Sequence, residues 1–182
     1  MKKAFLILSL LLPFNAYCQT SLIIKNTDKL ISWLIKKENI KLLNAKSDMS
    51  SFYNKDILNS QSILDEADKV DSNKCLKDFM NESEISMFNT AEMISVQTDW
   101  RIKYNFKVKY HTNEKDPKKN LTNYNQTIFS FSNPLFLNKQ YTRAIIGEGF
   151  TCGIACGRSD LLLCELKNGK WNIIARANVS ND

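Results

Sequence analysis

The chain has 182 residues, which suits one domain of ordinary size, and it carries 25 Lys and Arg against 19 Asp and Glu, a formal charge of +6. The positive charge is 21 Lys to 4 Arg and is scattered along the chain among 20 Asn. Surfaces that read bases or track phosphate use Arg forks and clustered charge, so the composition argues against nucleic acid as a partner and for a solvated face.

Residues 1–18 have the layout of a secretory signal peptide: Lys2 and Lys3, an apolar run over 4–12, Pro13, then small residues at Ala16 and Cys18 before Gln19. Cleavage is expected after Cys18. The mature chain, 19–182, is expected to form a single domain carrying 23 basic and 19 acidic residues, a charge of +4. Lipidation at Cys18 is the rival reading, disfavoured because Tyr17 stands where a small residue is preferred. Nine apolar residues fall short of the about 20 that span a bilayer. No later stretch is longer, so no transmembrane segment is expected after signal removal. The expected compartment is the periplasm or the exterior.

From Thr27, apolar residues at Leu30, Ile31, Leu34 and Ile35 give the stripe of an amphipathic helix, with Asn26 or Thr27 as its cap and Trp33 at its border. Ile40, Leu42 and Leu43 follow as a second short helix or an extended piece. Residues 48–75 are polar and predict loop, short helix and some mobility. Residues 76–97 give the clearest helical pattern, with Asn81 and Glu84 at capping-box spacing and Ile85, Phe88, Met93, Ile94 and Val96 as its buried side.

After Trp100 the period changes. Tyr104, Phe106, Val108 and Tyr110 alternate with polar residues and predict a strand. Further strands are predicted over 127–131, 140–150, 160–167 and 170–177. The last two are joined by Asn168-Gly169, the pair a type I′ hairpin turn favours. Helices first and strands later predict an α+β fold: helices packed on one face of a curved antiparallel sheet of about five strands, with a cystatin-like or NTF2-like cone as the analogue.

Three of the five cysteines fall in residues 151–164, TCGIACGRSDLLLC. Cys152 and Cys156 bracket a reversal between two predicted strands and can face each other within disulfide reach, and an exported chain favours oxidation. Redox chemistry would prefer Cys-x-x-Cys at a helix start. A zinc-like site needs about four ligands, and the single His111 has no cysteine at ligand spacing. Cys75 and Cys164 form a second candidate pair, with buried thiols as the alternative.

No G-x-S-x-G elbow or phosphate-binding loop is present, and no cofactor is implied. Glu148, between Gly147 and Gly149, is the candidate carboxylate of a small pocket, or else a polar residue at a strand bulge. Arg143 and Arg158 are candidates for an anion site if they converge on the sheet. Asn120 and Asn125 head glycosylation sequons, and the bacterial look of the signal segment predicts that they are of no consequence.

An ordered series of motifs runs through the C-terminal part: Ser132-Asn133-Pro134-Leu135-Phe136, a strand from Tyr141 to Ile146, the Cys152-Gly153 and Cys156-Gly157 steps, and Asn168-Gly169-Lys170-Trp171. With the helical segment before it, this resembles a group of small exported proteins of Bacteroidetes-type bacteria over roughly residues 76–175. The resemblance implies export and a shared α+β domain, and it implies no activity. The leading functional expectation is a non-catalytic envelope module that binds a protein or small ligand. The alternatives are a small enzyme or ligand binder with a pocket in the sheet, and a periplasmic inhibitor or immunity-like protein.

Overall fold

The structure is a computed structural model and describes residues 2–47, 55–59, 61–64, 69–91, 97–104, 106–112, 127–152 and 156–179. The first helix, α1, spans Lys2–Lys37. It begins well before the predicted start at Thr27 and takes in the segment read as a signal peptide. Among the described residues no helix is long and apolar enough to cross a membrane. Leu30, Ile31 and Leu34 of α1 are fully buried, as their spacing requires. Asn26 and Thr27, the expected caps, lie inside the helix and are buried too. There the Asn26 side-chain amide donates to the Tyr141 carbonyl at 3.3 Å and ties the helix to a loop of the sheet.

The helix ends in a Schellman motif. The Asn39 N–H donates to the Lys36 carbonyl at 3.3 Å, and the Ile40 N–H to the Ile35 carbonyl at 2.9 Å. Asn39 takes the left-handed conformation this needs, with φ 50°. Lys36 and Lys37 in the last turn complement the helix dipole. Glu38 is therefore a C-cap held in a fixed place.

Among the described residues the strands are β1 (Leu42–Asn44), β2 (Gln61–Leu64), β3 (Lys69–Cys75), β4 (Lys109–His111), β5 (Ile128–Phe131), β6 (Leu135–Phe136), β7 (Arg143–Thr151), β8 (Gly157–Lys167) and β9 (Lys170–Asn178). They form one sheet in the order β3-β2-β9-β8-β7-β5-β1-β4, with β6 also on β7. The α+β class is as expected, but the sheet is larger than five strands and is mixed, because β1 runs parallel to both β4 and β5. The polar segment 48–75 supplies a 3₁₀ turn over Lys55–Asn59 and the hairpin β2–β3 at one edge. An edge strand needs no continuous apolar run, which is why its pattern reads as loop.

Side chains alternate across the central strands. Ala144, Ile146, Leu162 and Cys164 face α1, joined by Trp171 and Ile173. Ile145, Leu161, Leu163, Ala175 and Ala177 face the other way. There they meet Leu76, from the 3₁₀ turn Leu76–Phe79, and Phe88 of the helix α2 (Glu82–Thr90). Helices thus cover both faces of the sheet, where one was expected. Among its described residues the predicted helix over 76–97 is two elements, and α2 ends at Thr90. Met93, Ile94 and Val96 lie outside the described residues.

The α2 capping box forms as its spacing predicts. The Glu84 N–H donates to Asn81 Oδ1 at 2.9 Å, and the Asn81 N–H to Glu84 Oε2 at 3.0 Å. The predicted strand over 104–110 is mostly something else. A short helix, α3 (Trp100–Lys103), leads into buried Tyr104 and Phe106, whose rings stack at 5.3 Å, and only Lys109–His111 is paired. Alternation there reflects burial of aromatics in the α1 layer rather than a ladder. The β8–β9 turn is as predicted, with φ 51° at Asn168 and 76° at Gly169.

Candidate functional site

Glu148 enters the α1 face of the sheet through the alternation of β7, on the same side as Ala144 and Ile146. Its register partners are Asp160 on β8 and Phe131 on β5. The β7–β8 register is unbroken from Arg143 to Thr151, so Glu148 stands in a regular strand and no bulge surrounds it. The bulge lies in β9. Leu163 pairs with Ala175 and Cys164 with Ile173, so Ile174 is the inserted residue.

That insertion flips the parity of β9. Trp171 and Ile173 face α1 before it. After it, Ala175 and Ala177 face away, and Arg176 and Asn178 face α1. A regular strand would send the Arg176 guanidinium to the opposite layer. With the bulge, Arg176 Nη1 lies 2.9 Å from Asp160 Oδ2 and 3.6 Å from Glu148 Oε2, while Nη2 lies 3.6 Å from Glu38 Oε1 on α1. Arg158 Nε donates to Asp160 at 2.8 Å, and Asn178 Nδ2 at 3.4 Å. Asp160 is thus well partnered. Glu148 is only 4% exposed, and its Oε1 has no hydrogen-bond partner among the described residues. Burial pushes its carboxyl from 4.5 up to about 7, with Glu38 and Asp160 adding to the rise and Arg176 and Lys37 opposing it.

Arg143 and Arg158, the candidates for an anion site had they converged, do not converge. Arg143 has the opposite parity on β7 and lies on the α2 face. There its Nε donates to Glu84, its Nη1 to Glu165 at 3.1 Å and its Nη2 to the Phe79 carbonyl at 2.7 Å. Arg158 serves Asp160 on the α1 side. The residues that do meet Glu148, namely Glu38, Asp160 and Arg176, were not singled out by sequence. The adjacent apolar residues Ile173-Ile174 ahead of Arg176 were the available hint, since strict alternation cannot bury both on one face.

Alongside α1, a groove of about 670 Å³ opens between the helix and the β8–β9 hairpin. Asp28, Lys29, Ser32, Trp33 and Lys37 line it from the helix, and Leu166, Gly169, Lys170, Trp171 and Asn172 from the hairpin. Trp171 is buried with its indole in the core, while Trp33 is half-buried with Lys37 Nζ 6.0 Å from its ring centroid. Glu148 is not among the groove's lining residues.

Cys152 and Cys156 are joined as a disulfide, Cα atoms 5.1 Å apart, just beyond the last β7–β8 pair, Thr151 and Gly157. Residues 153–155 between them, like the sequons at Asn120 and Asn125, lie outside the described residues. Cys75 and Cys164 are not bonded to each other and remain thiols. Two strands, β2 and β9, separate their strands, and Cys164 faces α1 while Cys75 leads into the 3₁₀ turn of the other layer. His111 ends β4. Among the described residues no three His, Cys, Asp or Glu side chains are grouped to hold a metal.

Comparison with known protein families, with curated proteins and with solved structures returns no match.

Proposed function

We propose that the chain is an exported, non-catalytic binding module of the cell envelope, with its ligand seat in the groove between α1 and the β8–β9 hairpin. The observation that carries this reading is the pairing of Trp33 and Trp171 with Lys29, Lys37 and Lys170 around one opening of about 670 Å³. That size lies within the range of small-ligand sites. The half-buried Trp33 ring favours a planar apolar body, and three lysines against one aspartate favour an anionic group on the same ligand. The signal-peptide layout and the Cys152–Cys156 disulfide both fit export. An acid–base enzyme built on Glu148 finds less support, because that carboxylate is closed into the α1–sheet layer away from the groove.

The test uses the groove's own reporters, since two of the chain's three tryptophans line it. Titration with an anionic naphthalene sulfonate should quench tryptophan emission saturably, and neutral naphthalene should bind more weakly. Lys29→Glu with Lys170→Glu should weaken the sulfonate and spare the neutral ring. Equal binding of both probes by both proteins would overturn the reading.

A further inference from the structure

We propose that Glu148 is a proton-controlled latch that sets how firmly the C-terminal turn of α1 is held on the sheet. The Arg176 guanidinium bridges the two layers here. It binds Asp160 on the sheet at 2.9 Å and reaches Glu38, the C-cap of α1, at 3.6 Å. The Schellman turn at Asn39 and Ile40 fixes Glu38, so this contact acts on the end of the helix rather than on a loose side chain.

The groups around Glu148 come from every neighbouring element. From β9 it meets Arg176, with Asn178 beyond on Asp160. From β8 comes Asp160, with Arg158 bound to it. From α1 come Glu38 and Lys37, and from β5 the fully buried, apolar Phe131. When Glu148 carries its proton it makes no ionic claim on Arg176, which is then shared between Asp160 and Glu38. When it gives that proton to water, a buried anion with an oxygen lacking a partner lies 3.6 Å from the guanidinium. The new charge attracts Arg176 and repels Glu38, and these two effects weaken the tie to α1 by more than the smaller pull on Lys37 of the same helix strengthens it. Burial places this change near neutrality, on either side of about pH 7, instead of in the ordinary carboxylate range. The proton then acts as a ligand that binds the latched state better than the loosened one. Lys37, next to Glu38, also lines the groove, so the latch and the groove share one helical turn. The latch stands whether or not the groove binds the proposed anion.

The experiment follows amide hydrogen exchange in the full chain as pH is raised through 7, corrected for intrinsic exchange. The amides of Glu38 and Ile40, which donate to Leu34 and Ile35, are the reporters, and those of Ile145 and Leu162 in the sheet centre are the control. Protection at the reporters should fall about tenfold, a usual size for coupling between two sites, while the control amides hold. Glu148→Gln should abolish the fall. Glu38→Gln should abolish it too, yet leave the Glu148 carboxyl titrating near neutrality by carbon-13 NMR. Reporter protection independent of pH, or an equal fall in Glu148→Gln, would overturn the latch. If Glu148→Gln does not fold, the wild-type carboxyl titration with Glu38→Gln decides. A Glu148 carboxyl titrating in the ordinary carboxylate range sinks the idea.

Discussion

The two faces of the sheet hold two clusters made from the same parts: a buried glutamate, an arginine and a second acid. On the α2 face, Glu84 is 3% exposed, and on the α1 face Glu148 is 4% exposed, so burial does not distinguish them. Partnership does. Glu84 takes hydrogen bonds from Arg143 and from the Asn81 N–H, and Arg143 also reaches Glu165 and the Phe79 carbonyl. Glu148 has one long ion pair to an arginine already committed to Asp160, and its second oxygen is left over. A satisfied buried pair is a clamp, and an unsatisfied one is a group whose charge is negotiable.

The sharpest way to break this contrast is to remove the clamp's cation. Arg143→Ala strands Glu84 in the α2 layer, and losing one partner of a buried pair costs about 3–5 kcal/mol. Urea unfolding should report that loss, with α2 detached from β7 in its wake. A change below about 1 kcal/mol, the size of an exposed pair, would mean that the α2 cluster is no clamp.

The α1 cluster should instead show itself as a pH dependence. The Glu148 carboxyl is held near 7 in the folded protein against 4.5 for an ordinary glutamate. Its folded value is raised, so the stability it contributes is full below about pH 4.5 and is lost as pH climbs through about 7. The loss is about 3 kcal/mol at most, at 1.36 kcal/mol per tenfold change in proton affinity. Glu148→Gln should remove this component. Its denaturation midpoint should change less than that of wild type between pH 5 and pH 8, which brackets the value near 7. Parallel profiles for the two proteins would erase the distinction between the clusters.

Sequence foresaw parts of each cluster and neither as a whole. Asn81 and Glu84 were legible because capping is local, a three-residue spacing that needs no tertiary information. That Glu84 also holds Arg143, 59 residues away, was not. Glu148 stood out because two glycines flank it, but its partners depend on the β9 bulge at Ile174, a register event that residue identities do not announce. Without the bulge, parity would put Arg176 with Ala144's opposite face, and no cluster would exist. Strands β7, β8 and β9 were readable because they bury apolar residues on both faces and because an Asn-Gly turn joins β8 to β9. The edge hairpin β2–β3 and the aromatic loop after α3 were not, since one lacks apolar pattern and the other has a pattern without a ladder.

A smaller effect sharpens the clamp from its other end. Asn81→Ala removes the side-chain cap of α2 and should cost about 1 kcal/mol. Because the Asn81 side chain accepts from the Glu84 N–H and Arg143 binds the Glu84 carboxylate, their losses should not add. A double-mutant cycle should return a coupling of about 0.5 kcal/mol or more. Additive losses would mean that cap and clamp are independent.

The smallest expected effect tests how much of the α1 cluster belongs to its rim. Arg158 is 37% exposed along its side chain, and it binds Asp160, which is 3% exposed. Asp160 keeps Arg176 and Asn178 if Arg158 is lost, so Arg158→Ala leaves no bare buried charge. Its cost should be about 0.5–1 kcal/mol, the size of an exposed pair, and should shrink in high salt. The Glu148 titration should move little, since Arg158 acts on it through Asp160, whereas replacing Arg176 removes the larger of the two cationic influences that oppose its rise. If Arg158→Ala shifts the Glu148 carboxyl as far as Arg176→Leu does, the latch extends to the rim. The cluster must then be treated as one coupled network rather than a single guanidinium shared by three acids.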